Sequence, residues 1–130
     1  MKKIQTANLI AIRRSEILLV KRSKDQEECG RWSLPGGTKY DNEQITDTLS
    51  REIEEELGVS IIKYGLFEKY IFAELEKIIE AYYFFGEIAN GIHLNKTELS
   101  AYKWFSFKDI PKKLAYSQNI VIADFLNSRE

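Results

Sequence analysis

The chain has 130 residues, 44% of them hydrophobic and 30% charged, with a formal net charge of −1. That length suits one domain, residues 1–130, and the composition excludes a disordered or collagen-like chain. The near-neutral balance argues against a broad basic surface for nucleic-acid polymers, yet leaves room for a small phosphorylated ligand whose charge a metal ion neutralises.

The single cysteine, Cys29, has no internal partner for a disulfide, so nothing calls for an oxidising compartment. No stretch approaches the roughly 20 apolar residues of a membrane span. The N-terminal run MKKIQTANLIAIRRSEILLV is interrupted by Gln5, Thr6 and Asn8, ends at Arg13 and Arg14, and lacks a small-residue cleavage site, so it does not read as a signal peptide. The expectation is a cytoplasmic protein, monomer or homodimer.

Along the chain, Ile4 to Ile12 reads as a strand and Glu16 to Lys21 as its partner across an Arg13-Arg14-Ser15 turn. Residues 23 to 31 are polar and form a loop. Trp32-Ser33-Leu34-Pro35-Gly36-Gly37 follows, where a proline and two glycines demand unusual backbone geometry. A helix is predicted from about Glu43 to Leu57, capped by Asp41 or Asn42 and ended by Gly58 in the left-handed conformation. Ser60 to Phe72, Lys77 to Ile88 and the shorter Tyr102 to Phe107 read as strands. Ser117 to Leu126 suits an amphipathic helix. Many strands with one central and one terminal helix imply an α+β fold, a helix-flanked mixed sheet rather than a repeating βαβ chain.

The segment Arg51-Glu52-Ile53-Glu54-Glu55-Glu56-Leu57-Gly58 carries the chemistry. On a helix Glu52, Glu55 and Glu56 share a face through i,i+3 and i,i+4 spacing, Glu54 points the other way, and the stripe Ile45, Leu49, Ile53 faces the core. Like charges so spaced repel by roughly 0.2–0.5 kcal/mol per pair. They also lie at the negative end of the helix dipole, at a further cost of roughly 0.3–1 kcal/mol each. Arg51 can relieve only part of this by pairing with Glu55. A solvated acidic face is the bland explanation. Clustered oxygen ligands are, however, what Mg²⁺ or Mn²⁺ requires, and such groups can hold more than one ion in phosphoryl-transfer sites. Upstream, Gly36 and Gly37 lack β-carbons, so backbone groups there can approach a metal or phosphate closely.

These residues complete a known pattern. The Nudix box, G-x5-E-x7-R-E-U-x-E-E-x-G-U with U a bulky aliphatic residue, is matched by Gly37, Glu43, Arg51, Glu52, Ile53, Glu55, Glu56, Gly58 and Val59 with every spacing correct. A chance match in a chain of this length is on the order of 10⁻⁸. The approach LLVKRS…GRWSLPGG, from Leu18 to Gly37, and the compact length also resemble the family's MutT-type nucleoside triphosphate pyrophosphohydrolases.

The resemblance implies a Nudix α/β/α sandwich, with the box as a loop–helix–loop, and Mg²⁺-dependent (or Mn²⁺-dependent) hydrolysis of a diphosphate bond in a nucleotide. For a triphosphate the products would be a monophosphate and pyrophosphate. Glu52, Glu55 and Glu56 would hold metal, one of them also orienting or deprotonating the attacking water, with the Gly37 carbonyl as a further ligand. Arg51 would orient the carboxylates through a salt bridge, and Glu43, Ile53, Gly58 and Val59 would be structural. Outside the box, Glu98 is spaced from Trp104 like an additional acidic metal ligand, Arg22 at a strand end could contact phosphate, and Asn119 sits where MutT-type enzymes can place a base-reading asparagine, helix capping being its rival role. Trp32, Tyr82 and Phe84 could stack on a base, although aromatics on strands more often pack in cores. His93, in a polar loop, has no catalytic role to play. The chain has no proline between Pro35 and Pro111 and no SQPWPFPxS motif, features of ADP-ribose and NADH hydrolases respectively. Dinucleoside polyphosphates, nucleotide sugars, capped RNA ends and a non-catalytic nucleotide sensor are the alternatives to a triphosphatase.

Overall fold

The computed structural model describes residues 1–129. Strand β1 (Lys2–Arg13) turns into β2 (Glu16–Arg22) through Arg14, whose φ of 58° is left-handed. The hairpin pairs only at Ile12 with Ile17 and Arg13 with Glu16. Away from the turn, β1 instead pairs antiparallel with β4 (Gly36–Thr38) and, on its other edge, parallel with β6 (Lys77–Ile88) from Lys2↔Lys77 to Ala11↔Gly86. Strand β5 (Ile61–Glu74) pairs antiparallel with β6, while β2 is flanked by β3 (Trp32–Ser33) and β7 (Leu99–Ser106). The order is β3-β2-β1-β6-β5, with β4 on β1 and β7 on β2. The sheet is thus mixed, as expected.

Alternation along the strands builds two cores. Ala7, Leu9 and Ala11 of β1, Leu18 and Val20 of β2 and Phe84 of β6 pack against Leu49, Ile53 and Leu57 of helix α1 (Ile45–Leu57). Ile10, Ile17, Leu19, Ala81 and Tyr83 face the other way, onto Val121, Ile122 and Phe125 of helix α2 (Gln118–Ser128). Period-2 strands thereby bury both faces between two helices, the expected α/β/α sandwich.

Helix α1 begins two residues later than the expected Glu43, and its N-cap is Gln44 rather than Asp41 or Asn42. Glu43 is held in the preceding turn: its N–H donates to the Tyr40 carbonyl (3.1 Å), and its carboxylate accepts the Tyr40 N–H (2.9 Å). The Asp47 carboxylate accepts the Gln44 N–H (3.1 Å) and so serves the first turn as an anion at the positive end of the dipole. Gly58 ends the helix with φ 66°, as expected, its N–H donating to the Glu54 carbonyl at 2.9 Å. A single turn of 3₁₀-helix, Ala115–Ser117, precedes α2. Among the described residues no helix is long and apolar enough to cross a membrane.

Candidate functional site

The glycine turn sets the site. Gly36 pairs with Asn8 of β1 so closely that a β-carbon would strike the Ala7 carbonyl, and a β-carbon on Gly37 would strike the Glu52 carboxylate. At Gly36 the clash is with backbone and admits no side chain, whereas at Gly37 a side chain would displace the Glu52 carboxylate from its place. The last turns of α1 therefore lie directly against the backbone of β4.

Arg51 organises the carboxylates around it. Its Nε donates to Glu43 at 2.6 Å, and its Nη2 to the second Glu43 oxygen (3.0 Å) and to the Thr38 carbonyl (2.9 Å). Its Nη1 donates to Glu52 (2.8 Å) and Glu55 (3.3 Å). The guanidinium also stacks 3.7 Å from the centroid of the Tyr40 ring. Hydrogen bonding to Arg51 pulls the Glu43 pKa down to about 2, and the same pairing raises that of Arg51. Arg51 thus spans the box from Glu43 to Glu55, more than the single salt bridge expected of it.

The three helix carboxylates part company in their surroundings. Glu55 is exposed and held at the rim by Arg51. Glu52 is half-buried, and burial raises its pKa, with Arg51 opposing and Glu55 and Glu98 adding to the shift. Glu56 is only 3% exposed. Burial pushes its pKa up to about 8, although it accepts the Gly36 N–H at 2.9 Å. Negative charge from Glu52 and Glu98 adds to the effect, and Arg22 opposes it. Glu54 points to solvent, as expected.

A cavity of about 620 Å³ joins Gly37, Glu52, Glu56, Glu98 and Arg22. Its opposite end is lined by Ile4, Phe72, Ile79, Glu74 and Lys77, with Asn8, Tyr83 and Gln118 between. Arg22 keeps its place through a hydrogen bond from Nε to the Glu27 carbonyl (3.2 Å) and lies 5.5 Å from the Tyr116 ring. Glu98 reaches the cavity from the loop before β7, whose backbone is fixed by the Ser23 N–H donating to the Glu98 carbonyl at 3.0 Å.

Asn119 does not line this cavity; its neighbour Gln118 does. Tyr116 and Ser117 both take left-handed φ (56° and 55°), which rotates the start of α2 and turns Gln118 inward. The Gln118 Oε1 accepts the Leu34 N–H at 2.7 Å, and the side chain also hydrogen-bonds Tyr83, whose phenol burial pushes up to about 12. Nor is Asn119 the helix cap, since Ser117 occupies that position. The aromatic candidates also lie elsewhere. Phe84 is core, Tyr82 packs beside it, and Trp32 stands edge-on to Phe105 at 5.1 Å. Phe72, Tyr83 and Tyr116 are the cavity's aromatics instead.

Among the described residues, no three acidic, histidine or cysteine side chains are gathered tightly enough to hold a metal ion as they stand. The reason is visible: Arg51 draws Glu52 and Glu55 toward itself, and Glu56 rests on Gly36. The donor set nonetheless suits a hard divalent cation. It is all oxygen, it stands on a glycine cradle, and burial, with neighbouring carboxylate charge added, raises the pKa of Glu52 and Glu56, which a bound cation would offset.

Comparison with known proteins agrees with this architecture. The NUDIX domain family matches residues 2–125. An 8-oxo-dGTP diphosphatase of Buchnera aphidicola subsp. Schizaphis graminum is 32% identical over 103 residues, covering 78% of this chain and 75% of its own. A MutT NUDIX hydrolase from Burkholderia pseudomallei superposes with a TM-score of 0.85 at 25% identity, over 95% of this chain and 98% of that one. The MutT protein of Methanosarcina mazei Go1 shares the fold, with a TM-score of 0.84 at 24% identity over 99% and 96% of the two chains. With its box complete and its residues drawn into one cavity, this chain belongs to the Nudix family, as a hydrolase of the MutT-like kind.

Proposed function

We propose that the protein hydrolyses a nucleoside triphosphate to the monophosphate and pyrophosphate, with Mg²⁺ (or Mn²⁺) as cofactor. One observation carries this reading: a single cavity joins the box carboxylates, Glu98 and Arg22 to a partly apolar stretch of β1, β5 and β6 lined by Ile4, Phe72 and Ile79, with the charged pair Glu74 and Lys77 at its far end. That polarity matches a ligand with a polyanionic tail and a flat, partly apolar head. The bound cation would be held by Glu52, Glu55, Glu56, Glu98 and the Gly37 carbonyl, neutralising phosphate charge and acidifying a water.

The protein's own groups do the rest. Arg22 offers guanidinium donors to the phosphates. Glu52, whose pKa burial raises, accepts the proton of the attacking water, because a base is most effective when its pKa approaches the working pH. Arg51 is a positioning residue, fixing Glu52 and Glu55 relative to the β4 turn. Phe72 supplies aromatic surface for the base. Gln118, rather than the Asn119 of the sequence reading, lines the cavity beside that surface, as does Asn8, each with both donor and acceptor capacity. The reading includes a cytoplasmic location, where nucleotides are made and used, and one domain across the chain.

The test is a hydrolysis screen with Mg²⁺ over triphosphates, dinucleoside polyphosphates, nucleotide sugars and capped RNA, detecting phosphate and pyrophosphate separately. It should include 8-oxo-dGTP, for which the Buchnera relative is named. Pyrophosphate release from triphosphates is the expected result. Turnover confined to the other classes, or nucleotide binding with no turnover, contradicts it.

A further inference from the structure

Strand β5 ends the sheet, and among the described residues it pairs only with β6. It is 14 residues long and carries apolar side chains in the open: Tyr64 is 46% exposed, Leu66 55% and Ile71 61%. An edge of that length, unpaired and partly apolar, is a template for another strand unless something blocks it. Charges usually do so, and β5 has four, Lys63, Glu68, Lys69 and Glu74. Their order matters more than their number.

The register against β6 assigns each residue to a face. A bulge between Leu66 and Glu68 changes the alternation, so that Leu66 stands opposite Phe84 and Ile71 opposite Glu80. Since Phe84 and Glu80 are four apart on β6, Leu66 and Ile71 share a face of the sheet, as do Tyr64 (opposite Gly86) and Ala73 (opposite Ile78). Lys63 and Glu74, opposite Glu87 and Lys77, share the other face.

We infer that β5 pairs antiparallel with β5 of a second copy about a two-fold axis at Lys69, joining two sheets edge to edge. A two-fold axis normal to the sheet preserves faces, so only residues of one face can oppose each other. Counted in β6 positions from Lys69 (opposite Tyr82), Leu66 meets Ile71 of the second copy, Tyr64 meets Ala73, and Lys63 meets Glu74, each pair twice. Apolar then faces apolar and cation faces anion. Lys69 opposes its own copy, but each ammonium is drawn aside, 3.9 Å from Glu80 and 5.7 Å from the centroid of the Tyr82 ring. The charges that would otherwise guard the edge select this one register.

Light scattering on the eluting protein at high micromolar concentration should give twice the chain mass. Leu66→Lys and Ile71→Lys, both exposed and outside the cavity lining, should elute as folded monomers by circular dichroism with hydrolysis per chain unchanged. The register is read by cysteine. On a Cys29→Ser background, Lys69→Cys should form a disulfide-linked dimer under a mild oxidant, because it meets itself at the axis. Glu68→Cys, which would oppose Tyr70, should link far more slowly. A monomeric wild-type mass, or equal linking at Glu68 and Lys69, overturns the proposal.

Discussion

Arg51 grips Glu43 with two parallel hydrogen bonds, of 2.6 and 3.0 Å, across eight residues of sequence. The contact closes the turn before α1 onto the carboxylate-bearing end of the helix. It also leaves Nη1 pointing at Glu52 and Glu55. Glu43 thereby sets the carboxylates' geometry without lining the cavity itself.

The first prediction tests that chain of contacts. Glu43→Gln keeps the shape of the side chain but removes its charge, so Arg51 is freed to bind Glu52 and Glu55 more closely. Turnover should fall about 10–100-fold, the range typical for groups that orient metal ligands. The Mg²⁺ concentration needed for half-maximal rate should rise. Arg51→Lys should do the same, since a point-charge ammonium cannot reproduce five directed N–H bonds. A loss of melting temperature with normal kinetics would make the Glu43–Arg51 pair a purely structural clamp.

Glu56 gives a pH dependence. Its folded pKa of about 8 lies above the ordinary glutamate value of 4.5. Its contribution to metal-free stability is therefore fully present below the ordinary glutamate range and is lost as pH rises through about 8. In EDTA, the melting temperature should fall between pH 5 and pH 8.5, and Glu56→Gln should remove most of that fall. Mg²⁺ should raise the melting temperature more at the alkaline end, because the cation binds the ionised carboxylate. A metal-free profile that is flat, or that rises with pH, contradicts the assignment.

For the base contact, Gln118→Ala should raise KM for the preferred triphosphate about tenfold, the scale of one lost hydrogen bond of 1–3 kcal/mol to a buried partner, with kcat less affected. Asn119→Ala should leave KM within about twofold. The Leu34 N–H loses its acceptor in the Gln118 variant, so some stability must be lost as well. The discriminating readout is selectivity among bases, which a structural role alone would not alter. A larger KM effect at Asn119 would restore the sequence assignment.

These outcomes track what sequence can carry. The box was legible because nine positions at fixed spacing act through one local element, a helix whose face is set by its period. Glu98 was reachable through the family resemblance and Arg22 from its place at a strand end, and both line the cavity. Gln118 was not. Its inward turn depends on left-handed φ at Tyr116 and Ser117 and on the Leu34 N–H, 84 residues away in the chain. The late start of α1 was hidden for a similar reason, since Glu43 has ordinary helix propensity but is claimed by Arg51. The bulge that aligns Leu66 with Ile71 leaves no mark in a hydrophobic pattern read at period 2.

The most direct test compares two glutamates on one helix, using steady-state hydrolysis of the preferred triphosphate with Mg²⁺. Glu52 lines the cavity, whereas Glu54, two residues on, faces solvent. Glu52→Gln should lower kcat at least about 10²-fold with the fold intact by circular dichroism, as expected for loss of a general base or metal ligand. Glu54→Gln should stay within about twofold, as surface substitutions usually do. Equal effects at the two positions, or near wild-type turnover in Glu52→Gln, would contradict the site.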